Sequence, residues 1–138
     1  MKLSVIIPYY NAEKYVFTLL ESLNIQGFQE SEYEIIIVDD GSTHDVERLK
    51  EYCQRRENVK YVRQTNGRQS RARNNGMSMA KGDYLFFCDA DDELRHGSLS
   101  KAWKVANENH LDFLFFNRVI IREKESTPPI PMILQSEI

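Results

Sequence analysis

Cysteine is scarce in these 138 residues: only Cys53 and Cys88 occur, far apart and outside any C-x-x-C pair. A disulfide framework and a cysteine-based structural zinc site are thereby excluded, which suits a reducing cytoplasm. Long apolar runs are missing too. They stop at about five residues, far short of the ~20 that a membrane-spanning helix needs. The opening stretch Met1-Lys2-Leu3-Ser4-Val5-Ile6-Ile7-Pro8 meets proline too soon for a secretory signal. Neither sign of charge dominates: Lys+Arg 18 against Asp+Glu 21 leaves a net charge of -3. The broad basic surface of a general nucleic-acid binder is therefore absent. Both glycine-rich phosphate loops, G-x-x-x-x-G-K-[ST] and G-x-G-x-x-G, are lacking, which removes the main support for a P-loop kinase or a dinucleotide oxidoreductase. His44, His96 and His110 are scattered without metal-ligand spacing and read as surface residues.

What is present is an ordinary globular composition, 41% apolar and 28% charged, of a length that suits one domain. Leu3 to Ile7 reads as a buried strand stopped by Pro8. Ala12, Tyr15, Val16, Leu19, Leu20 and Leu23 repeat as the core stripe of a helix, with Asn11 placed to cap it. Ile35 to Val38 is a strand apolar on both faces. Val46, Leu49 and Cys53 mark a second helix, and Val59 to Val62 a weaker strand. Ala72, Gly76, Met79 and Ala80 suggest a short helix ending near Lys81-Gly82. Tyr84 to Cys88 reads as a strand, Leu99, Ala102, Trp103 and Ala106 as a helix, and Phe113 to Phe116 as a fifth strand. This alternation predicts an α/β fold, a mostly parallel sheet with helices on both faces. We expect the domain to span residues 1–118. Residues 119–138, with a charged run at Arg122-Glu123-Lys124-Glu125 and three prolines, read as a linker or the start of a further segment. The apolar fifth strand offers a surface for a homodimer.

Ligands of open parallel sheets bind at the carboxyl ends of the strands, and polar groups gather after each strand here. Asp89-Ala90-Asp91-Asp92 follows an aromatic strand. In an extended chain Asp89 and Asp91 point the same way, and two converging carboxylates call for a cation between them. A hard divalent ion completes its shell with phosphate oxygens and water. The alternative is a turn whose acids cap the helix starting near Gly97. Asp39-Asp40-Gly41-Ser42-Thr43 carries a turn signal, and Ser42 with Asp45 has capping-box spacing. That leaves Asp39 unexplained, and an acceptor at a strand's end can meet a base or a ribose. Arg68, Arg71 and Arg73 crowd together in an acidic chain, where guanidinium groups suit phosphate; the alternative is a solvated helix start. Gly67 allows close approach of the backbone. Tyr10 could stack on a base or cover the sheet edge. Glu13 suits a helix's first turn whatever its function.

Four stretches carry a resemblance in order and spacing: Val5-Ile6-Ile7-Pro8-Tyr9-Tyr10-Asn11, Ile37-Val38-Asp39-Asp40-Gly41-Ser42-Thr43, Ala72-Arg73-Asn74 leading to Ala80-Lys81-Gly82-Asp83-Tyr84, and Asp89-Ala90-Asp91-Asp92. Together they resemble the nucleotide-sugar-binding part of family 2 glycosyltransferases of the GT-A, Rossmann-like fold. The resemblance implies a donor site of Pro8, Tyr10, Asn11, Glu13, Asp39, Asp40, Gly67, Arg68, Arg73, Asp89, Ala90 and Asp91. Pro8, Tyr10 and Asp39 would line the base pocket, usually for uracil, with Glu13 close by. Arg68 would approach the diphosphate and Arg73 brace the loop. Asp89 would contact ribose or the metal's hydration shell, and Asp91 would ligate Mg²⁺ or Mn²⁺ with Asp92 in support.

The same resemblance implies an inverting, metal-dependent transfer from a nucleoside diphosphate sugar, with UDP the expected nucleotide, to a saccharide or lipid-linked acceptor. The catalytic base is expected beyond Ile138, since Glu123, Glu125 and Glu137 sit in the tail. On that reading the chain is a donor-binding part that transfers sugar poorly alone. It would be cytoplasmic, with attachment to the inner face of the cell membrane left open. A non-catalytic nucleotide-binding module on the same fold is the alternative. A phosphoacceptor receiver lacks its acidic pair after strand one, and a nucleotidyltransferase lacks its glycine-rich loop there.

Overall fold

The computed structural model describes residues 1–115 together with 121–122 and 125–126. Its elements run β1 (Leu3–Tyr9), α1 (Glu13–Asn24), β2 (Tyr33–Asp39), α2 (Glu47–Gln54), β3 (Val59–Arg63), α3 (Arg68–Met79), β4 (Tyr84–Phe87) and α4 (Ser98–Glu108). Two short strands follow, β5 (Ile121–Arg122) and β6 (Glu125–Ser126). The chain divides into two compact units, Met1–Lys104 and Val105–Ile138. The first holds a parallel sheet of order β3-β2-β1-β4. In the second, β5 and β6 pair antiparallel. The rest of the expected linker, 119–138, lies outside the described residues. Among the described residues no helix is long and apolar enough to cross a membrane.

The alternation of strands and helices has the physical cause its sequence suggests. Every residue of β1 and β2 is buried, so both faces of these strands need cover. Leu3, Val5 and Ile7 with Ile35 and Ile37 pack against Val16, Leu19, Leu20 and Leu23 of α1 and Leu49 and Cys53 of α2. On the other face Ile36 and Val38 meet Ala72 of α3. There α3 lies close to the sheet because Gly76 has no side chain: a Cβ would sit 2.5 Å from Ile6 Cγ2. β4 packs Tyr84 and Phe86 into the larger core, while Leu85 and Phe87 stay 41% and 40% exposed.

Several local expectations are corrected. Tyr15 is on the helix but 47% exposed, so the buried stripe of α1 begins at Val16. Asn11 does not cap α1; Ala12 takes that position without a side-chain hydrogen bond. No capping box joins Ser42 to Asp45, because α2 begins only at Glu47, whose amide donates to Asp45 Oδ1. The fifth strand does not form over Phe113 to Phe115. These residues have no strand assignment, and Phe113 and Phe115 are 81% and 75% exposed. Phe116 lies outside the described residues. An apolar run becomes a strand only where a neighbour takes its backbone hydrogen bonds, and among the described residues no ladder runs beside these three.

The sheet order places a switch point between β1 and β4. From β1 the chain builds outward through β2 to β3, then crosses to the other side of β1 for β4. β1 follows β2 as far as Tyr9↔Asp39 but follows β4 only to Ile6↔Phe87. The last link on that side runs from the Cys88 amide to the Ile6 carbonyl, 3.3 Å. Pro8 lies two residues past Ile6, so by strand alternation its missing N–H would face β4 where β4 has already ended. A proline is tolerated there for that reason. The connections after β1 and β4 part at this point, and in sheets of this kind the crevice outside the strand ends at the switch point is the usual ligand position.

Candidate functional site

One wall of the crevice is the β1–α1 connection. Tyr10 is 49% exposed at its tip. Asn11 has φ 48, in the left-handed region that asparagine tolerates better than most residues. Its side chain is engaged at both its oxygen and its nitrogen. The Asn11 Oδ1 accepts from the amides of Thr43 and His44, both 2.9 Å, and Nδ2 donates to Thr43 Oγ1, 3.0 Å. The Asn11 amide donates to Ser42 Oγ at 3.0 Å. Asn11 therefore staples the β1–α1 connection to the β2–α2 connection. Glu13 opens α1. Burial first, then the charges of Glu13 and Asp39, raise the pKa of the buried Tyr9 phenol.

Asp39 ends β2 with no exposed surface. The acceptor expected there for a base or ribose already serves the protein's own donors. Its Oδ1 accepts from the Ser42 amide at 2.9 Å, and its Oδ2 takes a short hydrogen bond from the Tyr61 hydroxyl and one from Arg63 Nη1 at 3.0 Å. Arg63 also donates to the Ser42 carbonyl, 2.7 Å. Burial and the Asp39 carboxylate push the Tyr61 phenol up to about 12. Tyr61 and Arg63 escaped the sequence reading. Alternation on β3 puts both on one face, but only the parallel register Asp39↔Arg63 reveals their partner.

Asp40, 6% exposed, turns to the opposite side of the sheet edge. Its Oδ1 accepts from Gln64 Nε2 at 2.8 Å and from the Gly67 amide at 2.7 Å. Gly41 between the two connections has φ 80, and a Cβ there would lie 3.1 Å from the Asn66 amide nitrogen; only glycine fits without strain. Gly67 has an ordinary φ of -140. The space beside it is filled by the Arg71 side chain, whose Cδ would lie 2.3 Å from an added Cβ. Arg68 follows at φ 70, and its exposed guanidinium makes no hydrogen bond or ion pair among the described residues.

The opposite wall is the β4–α4 connection. The expected alternation of Asp89 and Asp91 is not what forms: the Asp92 amide donates to the Asp89 carbonyl at 3.0 Å, closing a turn. The Asp89 amide in return donates to Asp92 Oδ2, 2.7 Å. Asp89 and Asp91 thus sit in a turn and not in the extended chain that the alternation assumed. Asp89 Oδ1 takes Arg73 Nη2 of α3 at 2.6 Å, so Arg73 braces the turn from the helix. The Arg73 Nε is buried without a hydrogen-bond partner. Ala90 is buried, and Asp91 is exposed at the apex with no partner among the described residues. Burial, then the charges of Asp92 and Asp89, hold the Cys88 thiol well above its usual range, which makes it a poor nucleophile.

No cluster of three or more His, Cys, Asp or Glu side chains suited to a metal occurs among the described residues. The donor set fits a different kind of site. Asp91 offers an open carboxylate and Asp89 keeps one oxygen clear of Arg73. Mg²⁺ or Mn²⁺ can be held by one or two carboxylates when phosphate oxygens and water supply the rest.

Compared with known proteins, the chain matches glycosyl transferase family 2 over residues 4–133. It is 38% identical over 116 residues to the poly(ribitol-phosphate) beta-N-acetylglucosaminyltransferase TarS of Staphylococcus aureus, covering 83% of this chain and 20% of that protein. It is 36% identical over 115 residues to a poly(ribitol-phosphate) beta-glucosyltransferase of Bacillus spizizenii, covering 81% and 18%. The chain thus spans about a fifth of the length of these relatives. The crystal structure of S. aureus TarS 1-349 in complex with UDP-GlcNAc superposes with a TM-score of 0.76 at 32% identity, covering 93% of this chain and 37% of that one. The sheet is that of a GT-A glycosyltransferase, and the chain belongs to glycosyl transferase family 2.

Proposed function

We propose that this chain is the donor-binding part of an inverting, metal-dependent glycosyltransferase that uses a UDP-sugar. The observation that carries the reading is the switch point between β1 and β4, with exposed Tyr10 on the connection after β1 and the Asp89–Asp92 turn on the connection after β4. A structural relative was crystallised with UDP-GlcNAc, which supports a uridine nucleotide. The relatives' names include both N-acetylglucosamine and glucose transfer, so the sugar is left at the level of a hexose. The acceptor we propose is a saccharide or a lipid-linked saccharide.

In this reading Pro8, Tyr10 and Glu13 border the base. Tyr10 stacks on it, and Asp39 shapes the pocket from beneath through the Ser42 loop it holds. Arg68 meets the diphosphate, and Arg73 fixes Asp89 beside the ribose. Asp91, with Asp89, would hold Mg²⁺ or Mn²⁺, which when bound supplies positive charge to a departing diphosphate. The acceptor oxygen forms its bond to the anomeric carbon as the bond to the diphosphate oxygen breaks on the opposite face, inverting the centre. The diphosphate leaves with the bonding electron pair, and the acceptor's proton passes to a base not assigned to this chain. The residues assigned here bind and orient the donor and offset the charge developing on its leaving group.

An amide-shift map of the chain titrated with UDP and Mg²⁺ tests the site. Shifts should gather in residues 9–13, 39–44, 64–73 and 88–92. Shifts centred elsewhere, for instance on the surface pocket lined by Phe17 and Glu21 of α1 and by Tyr52 of α2 and Arg56, would place the nucleotide in the wrong part of the molecule.

A further inference from the structure

We infer that Asp40 is a positioning residue that acts through Arg68: its carboxylate holds the β3–α3 connection so that Arg68 is presented to the donor's diphosphate, and it does not itself touch the ligand. This rests on the donor-site reading above. Asp40 is buried, and both donors on its Oδ1, the Gln64 side-chain amide and the Gly67 backbone amide, belong to that connection and carry no charge. Gln64 is itself fixed twice more. Its backbone amide donates to the Asp39 carbonyl at 2.8 Å, and its Oε1 accepts from Asn75 Nδ2 of α3 at 3.0 Å. Asp40 is therefore joined through Gln64 to the flank of α3 and through Gly67 to its first residue.

That first residue is the strained one. Arg68 has φ 70, a region that side chains with a Cβ enter only when their surroundings hold them there. Gly67 is tied by Asp40 on one side of Arg68, and α3 is packed on the sheet through Gly76 on the other. At Gly41 the two connections run so close that an added Cβ would lie 3.1 Å from the Asn66 amide nitrogen. An open carboxylate this near a diphosphate would repel it. Asp40 instead turns its Oδ1 toward amides of the connection, and the guanidinium of the next residue, Arg68, is left free for the ligand.

Calorimetry with UDP and with uridine, both in Mn²⁺, on wild type, Asp40→Asn, Asp40→Ala, Arg68→Ala and the Asp40→Ala/Arg68→Ala pair decides the matter. Asp40→Ala should weaken UDP about tenfold while uridine stays within about twofold. Asp40→Asn, whose amide oxygen still accepts from Gly67 and Gln64, should restore most of the UDP affinity. In the Arg68→Ala background Asp40→Ala should cost nothing further. Equal losses in Asp40→Asn and Asp40→Ala, for UDP and uridine alike, would make Asp40 a direct ligand contact and overturn the inference. So would fully independent losses in the double variant. Should Asp40→Ala not fold, Gln64→Ala, which removes half of the anchor, carries the same comparison. A wild-type chain that binds neither UDP nor GDP removes the donor-site reading and this inference together, whereas binding insensitive to both Asp40→Ala and Gln64→Ala overturns the inference alone.

Discussion

Asp39 and Asp40 are neighbours in sequence and part at once in the fold. Alternation at the end of β2 sends Asp39 toward Tyr61 and Arg63 and Asp40 toward Gln64 and Gly67. One acidic pair thereby organises two connections at the crevice. Tyr61 makes the sharper test at this scale, because its hydroxyl donates to a carboxylate that no solvent reaches. A hydrogen bond to a charged group contributes about 1.5–3 kcal/mol, and Tyr61→Phe should lose an amount in that range. The pH dependence follows from the direction of the shift. The folded phenol titrates near 12 against 10.0 for the free group. Its contribution is complete below pH 10 and is lost as pH rises toward about 12. Urea midpoints measured across that window should fall more steeply for wild type than for Tyr61→Phe. Parallel curves would show that the Tyr61–Asp39 bond adds nothing to stability.

Elements were legible where a periodic apolar pattern was enough to specify them. The four-residue run Ile35 to Val38 could be read because a strand buried on both faces needs no alternation. The stripe of α1 could be read because Val16, Leu19, Leu20 and Leu23 share one face. Phe113 to Phe115 carried an equally apolar signal without becoming a strand, since a strand also needs a neighbour, which local sequence does not provide. Asn11 and the Asp89–Asp92 turn failed for a related reason. Their side chains follow partners on other elements, Thr43 and His44 for one and Arg73 for the other. The residues that resemble the family were thus visible, while the divisions of labour among them were not. At α3 the packing makes a firm prediction. A methyl group at Gly76 meets Ile6 Cγ2 at 2.5 Å, and overpacking of this kind costs about 1–3 kcal/mol. Gly76→Ala should lose stability in that range by urea unfolding, and an unchanged midpoint would mean that α3 can lift off the sheet freely.

At the scale of the molecule, the order β3-β2-β1-β4 does what no single residue does. It ends the β1–β4 ladder early, leaves Pro8 without a donor to satisfy, and opens the crevice between a tyrosine-bearing wall and an acidic turn braced by Arg73. Because Arg73 occupies one oxygen of Asp89 and Asp91 stands free among the described residues, Asp91 is the residue expected to make the decisive metal contact if the proposed donor site holds a metal. A ligand that binds only the folded chain raises its stability by about 2.7 kcal/mol at a hundredfold excess over Kd. The direct test is a thermal-unfolding titration with UDP, with and without Mn²⁺, on wild type and Asp91→Asn. Metal-dependent donor binding at Asp91 predicts a rise in Tm with UDP that depends on Mn²⁺ in wild type and is absent in Asp91→Asn. A Mn²⁺-dependent rise that survives Asp91→Asn, or no rise with UDP or GDP in wild type, would contradict it.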